Sequence, residues 1–268
     1  MDLDLRKLRY FVAVADHRHF GRAAEELYIA QPVLSRQIRA LERELGCDLF
    51  VRTTRSVQLT PAGEQLRAEA PGVLTSVDSA IRRVHEIDRG VQRLVIAFAS
   101  GLHVADAVLA FKAKYPEVEV DLLSLNWWEQ DAPLRDGRAD VGLLRRPFDD
   151  AGLQVVPIGS ERRVACLPIN HPLAGRESLV MADLENESIM TTQTRRRAPI
   201  EQKFELIATG QEIALVPETV ASSYPRADLV YLPIDDGPHS ETCLVTTKDR
   251  HTDHLLSFLE LATESLRA

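Results

Sequence analysis

Along the first sixty residues apolar side chains return every three or four positions, and the phase of that return is reset twice. Leu8, Phe11, Val12 and Ala15 fall at i, i+3, i+4 and i+7, which predicts an amphipathic helix over residues 5–17. A second helix is predicted over about 21–28, with Ala23, Ala24 and Leu27 turned inward. Two adjacent alanines let another helix come close, as a tight helix-turn-helix needs. After a turn at Tyr28-Ile29-Ala30, Leu34, Ile38, Leu41 and Leu45 form the inner stripe of a third helix over 31–45. Pro32 lies in its first turn, where a missing N–H is harmless. Gly46 follows as a left-handed C-cap. From Phe50 to Leu59 the pattern changes to loose alternation, which predicts a β-hairpin carrying Arg52, Thr53, Thr54, Arg55 and Ser56.

The outward face of the third helix carries the candidate chemistry. Gln31, Ser35, Arg36, Arg39 and Arg43 lie outside the inner stripe. In a helix-turn-helix the side chains near the N-terminus of this helix enter the major groove. Gln can pair bidentately with adenine, Arg with guanine, and Ser with a phosphate or a base edge. The hairpin then reads as a wing, with its arginines aimed at phosphates or at the minor-groove floor.

Residues 5–63 resemble the winged helix-turn-helix of the LysR-type transcriptional regulators. The likeness is carried by Leu8, Phe11, Phe20, Ala23, Ala24, Leu27, Gln31, Pro32, Ser35, Ile38, Leu41, Glu42, Leu45, Gly46, Leu49, Phe50, Arg52, Thr60, Pro61 and Gly63. It implies DNA contacts from Gln31, Pro32, Ser35 and Arg36 at the start of the recognition helix. It also implies a backbone or minor-groove contact from Arg52 or Arg55 on the wing.

Thr60-Pro61 is a helix start, with the threonine as N-cap and the proline at the first helical position. Beyond it Leu66, Ala70, Val73, Val77, Ala80, Val84 and Ile87 are spaced alternately four and three apart, a heptad seam. The seam predicts a partner helix, and the resemblance implies dimerisation through this linker. Pro71-Gly72 falls inside the pattern and predicts a kink, or a helix that begins properly only after it.

The texture changes at Arg93. Leu94–Phe98 reads as a buried parallel strand, followed by a helix through Phe111 to Tyr115 that Pro116 stops. A strand over 118–123, a short helix over 128–136 and a strand over 139–144 complete a β-α-β-α-β unit. A second lobe begins near 162–167 and continues with a helix over 200–209, a strand over 212–216, a helical turn after Pro217 and a strand over 229–232. Strand 242–246 and helix 253–267 close the chain. The expected organisation is a winged helix-turn-helix over 1–60, a linker helix over 61–90 and an α/β effector-binding domain over 91–268. Its lobes are 91–160 plus the C-terminal part, and 161–235. This body is similar to the LysR-family effector domain, whose two Rossmann-like lobes resemble periplasmic binding proteins. Phe111, Tyr115-Pro116, Leu134, Gly137, Asp140-Val-Gly, His171-Pro-Leu, Gly210 and Val216-Pro217 carry that looser likeness.

Ligands of such sheets bind beyond the carboxyl ends of the strands. Ser100, Trp127 and Arg145 follow three predicted strands and are the candidate effector-binding residues, with Arg145 suited to a carboxylate. Each has a plainer alternative: Ser100 as a helix cap, Trp127 as a surface aromatic, Arg145 as a solvated hinge residue. The second lobe is shorter than the family pattern, because Thr191–Pro199 bridges directly where a helix and a strand are expected. Its Arg195-Arg-Arg197 run reads as a solvated loop or as a phosphate or partner contact.

Charge sharpens this division. The net charge is −8 over 268 residues, yet residues 1–60 hold ten Lys/Arg against eight Asp/Glu. Residues 91–268 hold eighteen against twenty-seven, so a mildly basic head sits on an acidic body. DNA affinity must then come from a focused patch helped by dimerisation. Cys47, Cys166 and Cys243 are too scattered for a disulfide framework or metal knuckle and read as buried or half-buried thiols. The histidine pairs His17/His19 and His251/His254 lack a third ligand nearby in sequence. No cofactor, metal site or catalytic set is expected, nor a membrane span or signal peptide, so a cytoplasmic, non-enzymatic protein is the reading. The expected partners are double-stranded promoter DNA, a small-molecule effector of anionic character, further copies of the chain as homodimer or homotetramer, and RNA polymerase. The rivals are a small-molecule-binding protein whose head serves assembly only, and an enzyme on a binding-protein-like fold.

Overall fold

The computed structural model describes residues 3–52, 57–190, 199–250 and 252–267. The chain forms two compact units, Met1–Val84 and His85–Ala268.

The first unit opens with α1 (Leu5–His17), α2 (Phe20–Glu26) and α3 (Gln31–Leu45). Phe11, Ala15, Ala23, Leu34, Ile38 and Leu41 are buried in one cluster, as their spacing predicts, while Val12 is half-buried and Val14 takes a core place that the spacing did not assign. Local chemistry sets each boundary. Asp4 caps α1 by accepting from the Arg6 N–H at 2.8 Å. The His19 ring Nδ1 caps α2, accepting from Gly21 and Arg22 at 3.1 and 3.2 Å. Helix α2 ends two residues before the expected 28, because Tyr28 takes a left-handed φ of 53°. Gly46 closes α3 at φ 71°, as its lack of Cβ allows. The two-stranded wing pairs β1 (Phe50–Arg52) with β2 (Val57–Leu59), in the register Phe50↔Leu59. Residues 53–56 lie outside the described residues, and so does the expectation for Arg55.

Helix α4 (Pro61–Asp88) starts where Thr60-Pro61 predicts. The Thr60 hydroxyl accepts from the Gly63 N–H at 3.0 Å and donates to the Asp48 carbonyl at 2.7 Å. A Cβ on Gly63 would stand 2.1 Å from the Leu49 carbonyl oxygen, so only glycine lets α4 pass this close to the wing. The alternative of a helix that begins only after Pro71-Gly72 is corrected: α4 already contains both. The heptad seam is divided. Leu66 packs against the helix-turn-helix core and Ala70 is buried, whereas Val73, Val84 and Ile87 are 44%, 64% and 79% exposed.

The second unit is built on one path of strands ordered β4-β3-β5-β9-β6-β7, with β8 also on β6. Its first lobe follows the expected unit: β3 (Arg93–Ala99), α5 (Ala105–Lys114), β4 (Glu119–Leu125), α6 (Ala132–Arg135) and β5 (Val141–Arg145). Both β4 and β5 lie parallel to β3. Asp140 ties this lobe together, accepting from the Val95 N–H at 2.7 Å and pairing with Arg250. The helix expected over 128–136 shrinks to Ala132–Arg135. Residues 126–131 form turns, with Asn126 Nδ2 donating to Glu129 at 2.7 Å, and Pro133 must fall in the first helical turn.

The long β6 (Leu153–Pro168) crosses between the lobes. Its first part pairs with β9 (His239–Thr247) and its end with β7 (Ala214–Pro217) and β8 (Leu229–Pro233), all antiparallel. Helices α7 (Ile200–Ala208) and α8 (Glu218–Ser223) complete the second lobe, and α9 (Asp253–Arg267) packs on the first. Parallel contact in the second lobe is limited, among the described residues, to the bridges Leu179↔Ile234 and Ile189↔Ile213. Residues 191–198, with the direct bridge and the Arg195–Arg197 run, lie outside the described residues. The cysteine expectation needs one correction. Cys166 and Cys243 are buried, but Cys47 is exposed in the turn after the Gly46 cap.

Candidate functional site

The face of α3 opposite its core stripe is open to solvent. Gln31, Pro32, Arg36 and Arg39 are exposed and Ser35 is half-buried. No acidic partner engages the Arg36 or Arg39 side chain among the described residues. Arg43 bends back to the Arg39 carbonyl at 3.3 Å. The helix is held from beneath: Glu42, 8% exposed, accepts from the Leu49 and Phe50 N–H groups at 3.0 and 3.3 Å. That carboxylate fastens the end of α3 to the start of the wing. The backbone of Arg52 is on β1, and its side chain lies outside the described residues.

The second unit holds a cavity of about 640 Å³ lined from both lobes. Ser100, Trp127 and Arg145 all line it, so the three residues chosen at strand ends come together. Their plainer alternatives fare differently. Ser100 does not cap α5, which has Val104 at that position; its hydroxyl donates to the Leu125 carbonyl at 3.4 Å. Trp127 is half-buried and stands edge-to-face with Trp128 at 5.7 Å between centroids.

Arg145 is no solvated hinge residue, being 7% exposed. Its guanidinium pairs with Glu161 and donates to the Ser100 carbonyl and the Thr219 hydroxyl, both at 2.6 Å. Thr219 in turn donates its hydroxyl to Glu161 at 2.6 Å and its N–H at 3.2 Å. Arg145 therefore stitches the first lobe to α8 of the second, with its charge already answered. Beside it Gly101, at φ +79°, abuts α8: a Cβ there would stand 2.8 Å from the Val220 Cα.

Two cavity residues escaped the sequence reading. Lys203 sits on α7 with Ile200, Phe204 and Ile207, all facing the cavity at helical spacing. Its ammonium lies 3.3 Å from the Trp127 ring centroid. Burial lowers its pKa to about 8, because removal from water disfavours the charged form. A lysine on an otherwise apolar helical stripe was a readable signal. Arg163 on β6 donates to Ser240 at 2.8 Å and to the Leu215 carbonyl at 3.5 Å. Burial, then the nearby Arg145 charge, lower its pKa. Nothing in the alternation of β6 marks it out.

Burial pushes the Cys166 thiol up to about 12 and raises that of Cys243. Among the described residues no group of three or more His, Cys, Asp and Glu is placed to hold a metal ion, and no helix is long and apolar enough to cross a membrane.

A winged helix-turn-helix, a long helix and a two-lobed α/β unit with an interlobe cavity define a class of bacterial regulators. Residues 5–64 match the bacterial regulatory helix-turn-helix protein model of the lysR family, and residues 88–206 match the LysR substrate binding domain. The uncharacterized HTH-type transcriptional regulator YnfL of Escherichia coli K12 is 42% identical over 192 residues, covering 70% of this chain and 65% of YnfL. The SDS degradation transcriptional activation protein of a Pseudomonas species is 35% identical over 254 residues, covering 87% of this chain and 82% of that protein. The crystal structure of CbnR, a LysR family transcriptional regulator, shares the fold with a TM-score of 0.68 at 22% identity, covering 99% of this chain and 100% of CbnR. The chain belongs to the LysR family. It spans just under two thirds of the length of YnfL and of the other first-matched relatives, 64–65% in each.

Proposed function

We propose that the chain is a sequence-specific DNA-binding transcription regulator of the LysR type, controlled by a small-molecule effector held between its two α/β lobes. One observation carries the reading: the outer face of α3 is exposed, with no acidic partner on Arg36 or Arg39 among the described residues, while its inner face is buried. A helix anchored in this way can enter a major groove through Gln31, Pro32, Ser35, Arg36 and Arg39, with Arg52 and Arg55 following the backbone from the wing. The matched relatives named as transcriptional regulators and activators support it. The exposed half of the α4 seam suits a second copy, which doubles the DNA contacts. Ser100, Trp127 and Arg145 line the effector cavity in this reading, the first two in reach of a ligand. Such a protein works on the chromosome, in the cytoplasm, by binding and not by catalysis.

The test is a gel shift on DNA from upstream of the protein's own gene at physiological salt. The double substitution Ser35→Ala with Arg36→Ala is expected to weaken binding by at least about tenfold, since each lost base contact is worth roughly 1–3 kcal/mol. Unchanged binding of the double variant ends the proposal.

A further inference from the structure

The sequence pointed to Arg145 as the residue for an anionic ligand, and the structure has already used its charge. A census of the charged groups lining the cavity shows where an anion would go. Asp131 is held by Arg135 at 2.5 Å. Arg146 is held by Asp150 and Glu241, at 3.1 and 3.0 Å. Arg145 is held by Glu161. Two cations remain. Lys203 has the Trp127 ring as its neighbour and no carboxylate within ion-pair distance among the described residues. Arg163 has a neutral hydroxyl and a carbonyl, while Glu161, close enough to act on its charge, is occupied by Arg145 and Thr219. Both line the same cavity, and burial lowers the pKa of both. Two half-desolvated positive charges with no ion-pair partner among the described residues, set among Trp127, Phe204, Ile207 and Val216, are in an unfavourable state that a ligand anion relieves.

We propose that the cavity takes a small organic carboxylate with an apolar body, its charge answered by Lys203 and Arg163 and not by Arg145. This rests on the reading of the cavity as the effector site and adds the chemical class and the residues that select it. The Trp127 indole covers one side of the Lys203 ammonium, leaving its other donors for the ligand. Arg145 acts on the cavity wall, holding Ser100 and Thr219 in place.

The chain contains two tryptophans, Trp127 and Trp128, and both line this cavity, so intrinsic fluorescence reports on it directly. The full-length protein is titrated at millimolar concentrations with two charge-matched pairs, 4-phenylbutanoate against 4-phenylbutanamide and hexanoate against hexanamide. The expected result is a saturable change with at least one carboxylate and weaker binding of its amide. Lys203→Met and Arg163→Gln each lower carboxylate affinity by about tenfold, as loss of one charge-assisted hydrogen bond does, and leave the amide unaffected. Lys203→Arg restores most of the affinity, and thermal unfolding confirms that each variant folds. The proposal is overturned if the amides bind as well as the acids, if Lys203→Met and Arg163→Gln bind the acids like the parent, or if neither acid binds. A gel shift on the same preparations separates the cases: retained DNA binding in any of these outcomes leaves the regulator standing and removes only the carboxylate.

Discussion

Arg36 and Arg145 are the same side chain put to opposite uses. On α3, Arg36 stands in water on a surface whose underside is packed, without an acidic partner among the described residues. In the α/β unit, Arg145 is 7% exposed and closed within Glu161, Thr219 and the Ser100 carbonyl. The first is free to meet a phosphate or a guanine; the second holds a structure together. Residue type alone suggests the same role for both, a contact to an anion, and burial with partner charge separates them. A cation is available to a ligand only where the protein has not already neutralised it.

The comparison breaks most visibly through stability. Glu161→Ala strands the Arg145 charge inside the protein and is expected to destabilise the α/β unit by about 3–5 kcal/mol, the usual consequence of removing one partner of a buried pair. Arg36→Ala is expected to stay within about 0.5 kcal/mol of the parent, as an exposed substitution does. Urea unfolding of the full chain followed by circular dichroism measures both; equal losses would erase the distinction. A middle-sized effect tests the head. Gly63→Ala places a methyl group against the Leu49 carbonyl and is expected to cost about 1–3 kcal/mol by forced repacking. The loss should appear in the helix-turn-helix transition and leave carboxylate-dependent fluorescence alone.

The smallest effect sharpens the contrast within the cavity. The Lys203 pKa of about 8 lies below the ordinary lysine value of 10.5, so the folded state holds its proton less tightly than the unfolded chain. The protonated lysine therefore lowers stability in full below about pH 8, and the penalty fades as pH rises from about 8 toward 10.5. Lys203→Met is expected to raise the melting temperature at pH 7 by a few degrees at most, with the gain shrinking by pH 10. A gain that grows with pH would show that this ammonium is not under strain.

Most of the head was legible in the amino-acid order because its signals are local. The i, i+3, i+4 stripe, Gly46 and Thr60-Pro61 each act within a few residues of themselves, and α1 and α3 begin and end where those residues demand. Gly63 belonged to the recognisable pattern, but the Leu49 carbonyl that requires it became visible only in the fold. In the body, most strands and helices were readable from alternation; Pro133 and the Asn126 turn shortened α6, and the first part of β6, from Leu153 to about Glu161, was not foreseen. The cavity was half readable. Strand ends brought Ser100, Trp127 and Arg145 to it, while the pairing of Arg145 with Glu161, sixteen residues on, depends on the path of β6 between the lobes. Lys203 was missed although it interrupts an apolar stripe, and Arg163 gave no such signal, standing where β6 passes from the exposed Arg162 to a run buried on both faces.

The close passage of Gly101 beneath α8 constrains how the lobes can move. Main chain rests on main chain there, and a contact with no rotamers cannot yield by repacking. A side chain at position 101 would force α8 and the end of β3 apart, so this glycine fixes how near the two lobes stand on this side of the cavity.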